Sequence, residues 1–296
     1  MKHTFVFDDS GLATSLDFLM HKSDRTLKRL VSAPGNKLAY AHYSWSCLDA
    51  PATPKEFWST QMSKFYWSAE LERNLQALKT YLLKQKEKEW LNEVLNYLPE
   101  THRFNTTVYL NLGYDNIVYG ENIALNIGYP PFDLDRREMK YYLIHELAHA
   151  GYVRYHPLPE LRNNKTNGEL LRIIKFCTHL EGMGVISALR LRIQEDGLLD
   201  NDYKVILDDA ETRKRVNRYF KIIKGLESEK EKEAGQQVSR ILELMSGRET
   251  RLWYITGCHM AQEIEKNKGV ETLRRLVKEG SEGFFDAYLS QRTHIS

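Results

Sequence analysis

Along the chain, apolar residues recur first at helical spacing, then in alternation, then at helical spacing again. From about residue 10 to 100 the pattern is mainly helical, and 69-AELERNLQALKTYLLKQKEKEWLNEVLNYL-98 reads as one long amphipathic stretch rich in helix formers. Near residue 104 the period changes. In 107-TVYLNLGY-114, Val108, Leu110 and Leu112 fall on one face, and in 122-NIALNIGY-129, Ile123, Leu125 and Ile127 do the same. Period-two alternation predicts strands. The two segments share a phrase, LNLGY and LNIGY, and Gly120 lies between them, so they read as neighbours in a small sheet.

Helical spacing resumes after Pro130 and Pro131. Asp135 followed three residues later by Glu138 is the pattern of a capping box, and Pro157 sets the far limit, which predicts a helix over about 136–154. A polar loop, 162-RNNKTNG-168, leads to a second capping pair, Thr166 with Glu169, and a helix to about 194. The charged run 225-GLESEKEKEAGQQ-237 reads as solvent-exposed. A helix over about 249–267 ends at Gly269, and a short one follows. These elements predict an α+β fold, mostly helical, with a small sheet beside the 136–154 helix. The organisation expected is a helical N-terminal region, 1–104, followed by a region 105–296 that carries the chemistry.

Composition narrows the partners. With 42 basic and 40 acidic residues the formal charge is +2, which gives no electrostatic reason to expect nucleic acid or an anionic membrane. The N-terminus, broken by Asp8, Asp9 and Asp17, does not read as a signal peptide, and no apolar stretch reaches membrane-spanning length. Cys47, Cys177 and Cys258 are odd in number and without CxxC spacing, which reads as reduced thiols in a cytoplasm.

The chemistry concentrates in 141-YYLIHELAHAGYVRYHP-157. His145 and His149, one turn apart, face the same way and can share one metal ion. Glu146 is rotated by about 100°, beside the ion, where it can take a proton from water. Ile144, Leu147, Ala148, Ala150 and Gly151 make the segment apolar nearly all round. Polar groups buried there without partners would each cost about 1–3 kcal/mol. A metal answers that cost, and a hydrogen-bonded structural cluster is the competing reading. His156, about 10 Å along the axis from His149, is too far to serve the same ion.

The predicted 168–194 helix offers a third ligand. Taking Glu181 as the zero of a helical wheel, Leu170, Ile174, Cys177, Val185 and Ala188 fall within about 40° of it. Arg172, His179 and Arg190 fall opposite, so His179 reads as a surface residue. A carboxylate in an apolar stripe needs a positive partner, either zinc or a buried salt bridge. Gly182 and Gly184 would let another helix approach closely.

The pattern His145-Glu146-x-x-His149, followed by 180-LEG-182, resembles the gluzincin metallopeptidases. With 254-YITGCHMAQEIEKNKG-269 it is similar to a group of uncharacterised proteins read as zinc-dependent peptidases, over roughly residues 105–290. The resemblance implies a zincin-like fold, Zn2+ held by His145, His149 and Glu181, Glu146 as general base, and a peptide or protein substrate. It also implies a sheet edge that binds extended peptide, for which 122–129 is placed. Such enzymes use a Tyr or His on the oxyanion. Tyr254, at the edge of the apolar face of its helix, is better placed than His259, with plain packing as the alternative. A rival reading is a non-catalytic helical scaffold or binding module with a structural metal, its fourth position closed by Cys177 or Cys258.

Overall fold

The alternating segments form the strands expected of them. The computed structural model describes residues 2–162 and 166–292, so residues 163–165 of the polar loop lie outside the description. In chain order the elements are β1 (Thr4–Asp8), α1 (Ser10–His21), α2 (Asp24–Ser32), α3 (Pro34–Ser46), α4 (Pro54–Met62), α5 (Ala69–Leu83) and α6 (Glu87–Leu95). There follow β2 (Asn105–Asn111), β3 (Ile117–Tyr119), β4 (Asn122–Asn126), α7 (Pro131–Leu134) and α8 (Arg137–Val153). The rest is helical: α9 (Asn167–Gln194), α10 (Asn201–Ile206), α11 (Asp209–Ser228), α12 (Gln237–Ser246), α13 (Leu252–Lys268), α14 (Val270–Glu279) and α15 (Ser281–Arg292). The fold is α+β and mostly helical. Among the described residues, no helix is long and apolar enough to cross a membrane.

Two compact units are present: Met1–Leu91 with Arg103–Arg154, and Asn92–His102 with Tyr155–Ser296. The first holds the sheet, in the order β1-β2-β4-β3. β2 runs parallel to both β1 and β4, while β3 is antiparallel to β4. Parallel pairing aligns Leu110 with Leu125 and Asn111 with Asn126, so the LNLGY and LNIGY phrases lie side by side. The asparagines have a reason to repeat. Asn126 Oδ1 accepts from the backbone N–H of Gly113 and of Gly128, and Asn111 Nδ2 donates to the Gly35 carbonyl. The Asn126 bonds satisfy backbone N–H groups just past the strand ends, and the Asn111 bond ties β2 to α3.

Three expectations for this unit change. β4 is an interior strand, paired on both sides, so the open edge next to it is β3 and not the 122–129 segment. The long stretch from 69 to 98 breaks into α5 and α6 around residues 84–86. The expected capping box on α8 does not form: Arg136 is the N-cap with no side-chain cap hydrogen bond. Asp135 Oδ1 instead accepts from the Arg137 backbone N–H at 2.9 Å and grips its guanidinium.

In the second unit α9 packs along α13, and α11 packs against both. The Thr166–Glu169 capping box is present as expected: Thr166 accepts from Glu169 N at 3.2 Å, and Glu169 Oε2 accepts from Thr166 N at 3.1 Å. The charged run 225–237 is exposed apart from Leu226 and Ala234.

Candidate metal centre

Helix α8 packs against β3 and β4. From Tyr141 to Ala150 every residue is buried except Tyr142 and His145. These two, with His149 at 7% exposure, fall at i, i+3 and i+7, so they mark one side of the helix. Tyr142 is held there by an aromatic group: its hydroxyl donates to Tyr129 Oη at 3.2 Å, and Phe132 closes edge-on. The sequence therefore fixes which way α8 is rolled. The histidines come to its least covered side.

The two imidazoles lie with ring centroids 4.4 Å apart, steeply inclined to each other. Glu146 is 4% exposed, and its Oε2 stands 3.5 Å from His149 Nδ1. Two nitrogen-bearing rings one turn apart with a carboxylate beside them suit a borderline-soft ion that takes imidazole and carboxylate ligands, which is the chemistry of zinc. His156, set aside as a ligand on distance, bonds through Nε2 to the Val277 carbonyl at 2.9 Å.

Glu181 lies on α9 between buried Leu180 and Gly182, with buried Cys177 one turn before it and Val185 one turn after. Glu181 itself is only part-buried, not enclosed as the helical wheel suggested. The same wheel errs on His179. Its ring is fully buried and stacks on Phe284 at 4.1 Å with the planes 7° apart. Burial, followed by the neighbouring His156, holds its pKa well below the ordinary histidine value. Burial also pushes the Cys177 thiol up, and the Glu181 carboxylate adds to the effect.

Gly182 is where α9 meets α13. A Cβ placed on it would stand 2.4 Å from the carbonyl carbon of Gly257, and one placed on Gly257 would stand 2.1 Å from the Thr178 oxygen. Backbone meets backbone, as expected for Gly182. One turn before Gly257, Tyr254 is part-buried. Sequence reasoning missed what lies on it. The Arg251 guanidinium covers the Tyr254 ring, 3.3 Å from its centroid, and is gripped by Asp202. Arg251 is the N-cap of α13 and has φ 48°, ψ 39°, a left-handed conformation that a non-glycine residue adopts at a cost of about 1–2 kcal/mol. Burial opposes its charge, but Tyr254, Asp202 and Glu181 outweigh burial and hold its pKa above the ordinary value. Nothing in 249-ETRLWY-254 advertises this arrangement, because neither the left-handed turn nor the distant Asp202 leaves a local signature.

Residues 27–290 match the family described as "Putative zinc dependent peptidase (DUF5700)". The chain belongs to this family. The match begins well before the resemblance at about residue 105, so most of the N-terminal helical region is part of what the family shares. No curated protein and no solved structure matches the chain. The family's description agrees with the HExxH reading on two points, zinc and peptide-bond chemistry.

Proposed function

We propose that the protein is a zinc metallopeptidase of the gluzincin type, with a zincin-like arrangement around α8. The observation that carries this reading is the triplet on α8: His145 and His149 with rings 4.4 Å apart, and Glu146 beside them, on the least covered side of the helix. His145 and His149 would hold the ion, with Glu181 as third ligand. When bound, zinc supplies Lewis-acid polarisation of a carbonyl and acidifies water to a pKa of about 7. The chain's own groups do the rest. Glu146, held in a largely water-free setting, takes the proton from the attacking water and delivers it to the leaving amine. Tyr254 donates a hydrogen bond to the oxyanion. The substrate class is a peptide or protein.

The test is Glu146→Gln, which keeps the size and hydrogen-bonding shape of the side chain and removes the base. The variant should keep about one zinc per chain by elemental analysis and lose hydrolysis of a peptide library. If zinc left together with activity, Glu146 would belong to the coordination shell and the assigned role would fall. Undiminished hydrolysis with zinc retained would remove the general base from the mechanism.

A further inference from the structure

Tyr254 is a part-buried phenol on α13, and a donor to an oxyanion works only if it is already aimed. The structure supplies an aiming device. Arg251 Nε donates to Asp202 Oδ2 at 2.8 Å, and Nη2 lies 2.7 Å from the same oxygen. Nη1 reaches back to the Ser246 carbonyl at 3.5 Å. All three nitrogens are thus engaged, and the guanidinium lies over the Tyr254 ring. Asp202 is 5% exposed and sits on α10, where its own backbone N–H is held by Asp200 Oδ1 at 2.9 Å. Arg251 also keeps a left-handed backbone conformation at the start of α13, although glycine would adopt it freely. A strained residue kept at such a point is a reason to look for what its side chain does.

We infer that Arg251 is a positioning residue for Tyr254: clamped by Asp202, it fixes the phenol ring and strengthens its hydroxyl as a hydrogen-bond donor. This inference rests on the reading in which Tyr254 serves the oxyanion. The physical basis is twofold. A planar cation stacked on a ring restricts the ring's rotation. A positive charge beside a phenol also stabilises the negative charge that builds on its oxygen as the proton is shared, so the hydroxyl donates more readily to a developing oxyanion.

The experiment compares Tyr254→Phe, Arg251→Gly and the double variant in the zinc-loaded protein, with kcat and KM measured on a fluorogenic peptide. Arg251→Gly removes the side chain and suits the left-handed backbone, so the turn is kept. Tyr254→Phe should lower kcat by about 10²-fold, the scale of losing one oxyanion donor. Arg251→Gly should lower kcat by about tenfold with KM within about twofold, and the double variant should match Tyr254→Phe alone, because the two residues act as one unit. A second readout needs neither metal nor substrate. In protein labelled with 3-fluorotyrosine, the 19F resonance missing from Tyr254→Phe identifies Tyr254, and Arg251→Gly should shift and broaden it. Asp202→Asn, which loosens the clamp but leaves Arg251, should move it the same way and by less, and serves if Arg251→Gly folds poorly. An unmoved 19F resonance overturns the inference, as does a double variant whose losses multiply. If Tyr254→Phe keeps full kcat while Glu146→Gln abolishes it, the oxyanion role of Tyr254 falls and the catalytic part of the inference falls with it. If Tyr254→Phe loses activity and Arg251→Gly does not, the oxyanion role stands and the inference alone is wrong.

Discussion

Gly182→Ala is the sharpest test of how the second unit is built. The added methyl would stand 2.4 Å from the Gly257 carbonyl carbon and 2.6 Å from its Cα and oxygen, whereas ordinary contact begins near 3.4 Å. The shortfall, 3.4 minus 2.4, is 1.0 Å. Every atom met is backbone, so no side chain can swing aside, and α9 and α13 must part by about that much. Overpacking of this kind costs about 1–3 kcal/mol, and the absence of a flexible neighbour places it near the upper end. Replacing glycine by alanine inside a helix returns about 0.8–1 kcal/mol. The net is a destabilisation of about 2 kcal/mol, which for a unit of this size lowers Tm by about 4–8 °C. Calorimetry would measure it, with near-UV circular dichroism as a check on packing. Gly257→Ala should do at least as much harm, since its methyl meets the Thr178 oxygen at 2.1 Å. The double variant should cost less than the sum, because helices that have parted for one methyl have room for the other. An unchanged or raised Tm in Gly182→Ala would refute the reasoning outright: helix propensity would then be the only term acting, and the close crossing would not exist.

Other consequences follow from the proposed site and the caps. Glu181→Ala should weaken zinc binding at least tenfold in a competition titration, and unchanged affinity would remove Glu181 from the ligand set. A hydroxamate at a hundredfold excess over its dissociation constant should stabilise the zinc-loaded protein by about 2.7 kcal/mol. That stabilisation should vanish in His149→Ala, and its absence from zinc-loaded wild type would favour the structural-metal scaffold. Thr166→Ala removes the acceptor for Glu169 N–H and should cost about 1 kcal/mol in a urea titration, with no change in zinc content.

What the sequence made legible was what local chemistry decides. The apolar period and Pro157 placed α8 to within a residue or two, and the Thr166–Glu169 pair gave the start of α9. The repeated LNxGY phrase pointed to neighbouring strands, since parallel pairing sets equal phrases in register. What stayed hidden depends on distant partners. β1 has five residues, with Val6 52% exposed, and becomes a strand only by pairing with residues about a hundred positions later. His179 shares its helical side with Arg172 and Arg190, and a wheel treats all three alike. Arg190, exposed, reaches Glu93 with its long side chain, while the short flat ring of His179 is roofed by Phe284 from α15. Glu181 fails the wheel for the opposite reason. α9 is buried on nearly every side, so an apolar stripe does not single out its covered face, and the carboxylate emerges as one of its more open positions.

A glutamate enclosed in apolar packing would be a structural liability in need of rescue. A part-open glutamate next to a pinned glycine is a side chain whose position is set without being smothered. Gly182 follows Glu181 directly, and Gly257 lies three residues after Tyr254, so the same backbone contact that joins α9 to α13 also fixes the spacing between that carboxylate and that phenol. Arg251 then sets the phenol's orientation at the head of α13, under the influence of both Asp202 and Glu181. Catalytic groups displaced by about 1 Å can lose on the order of 10²-fold in rate. The glycine pair is therefore expected to matter for rate beyond its effect on Tm. At a temperature where Gly182→Ala remains fully folded, its kcat should still fall while its zinc content holds. A variant with wild-type kcat would show that α9 and α13 can move apart without disturbing the reacting groups, and that the crossing serves stability alone.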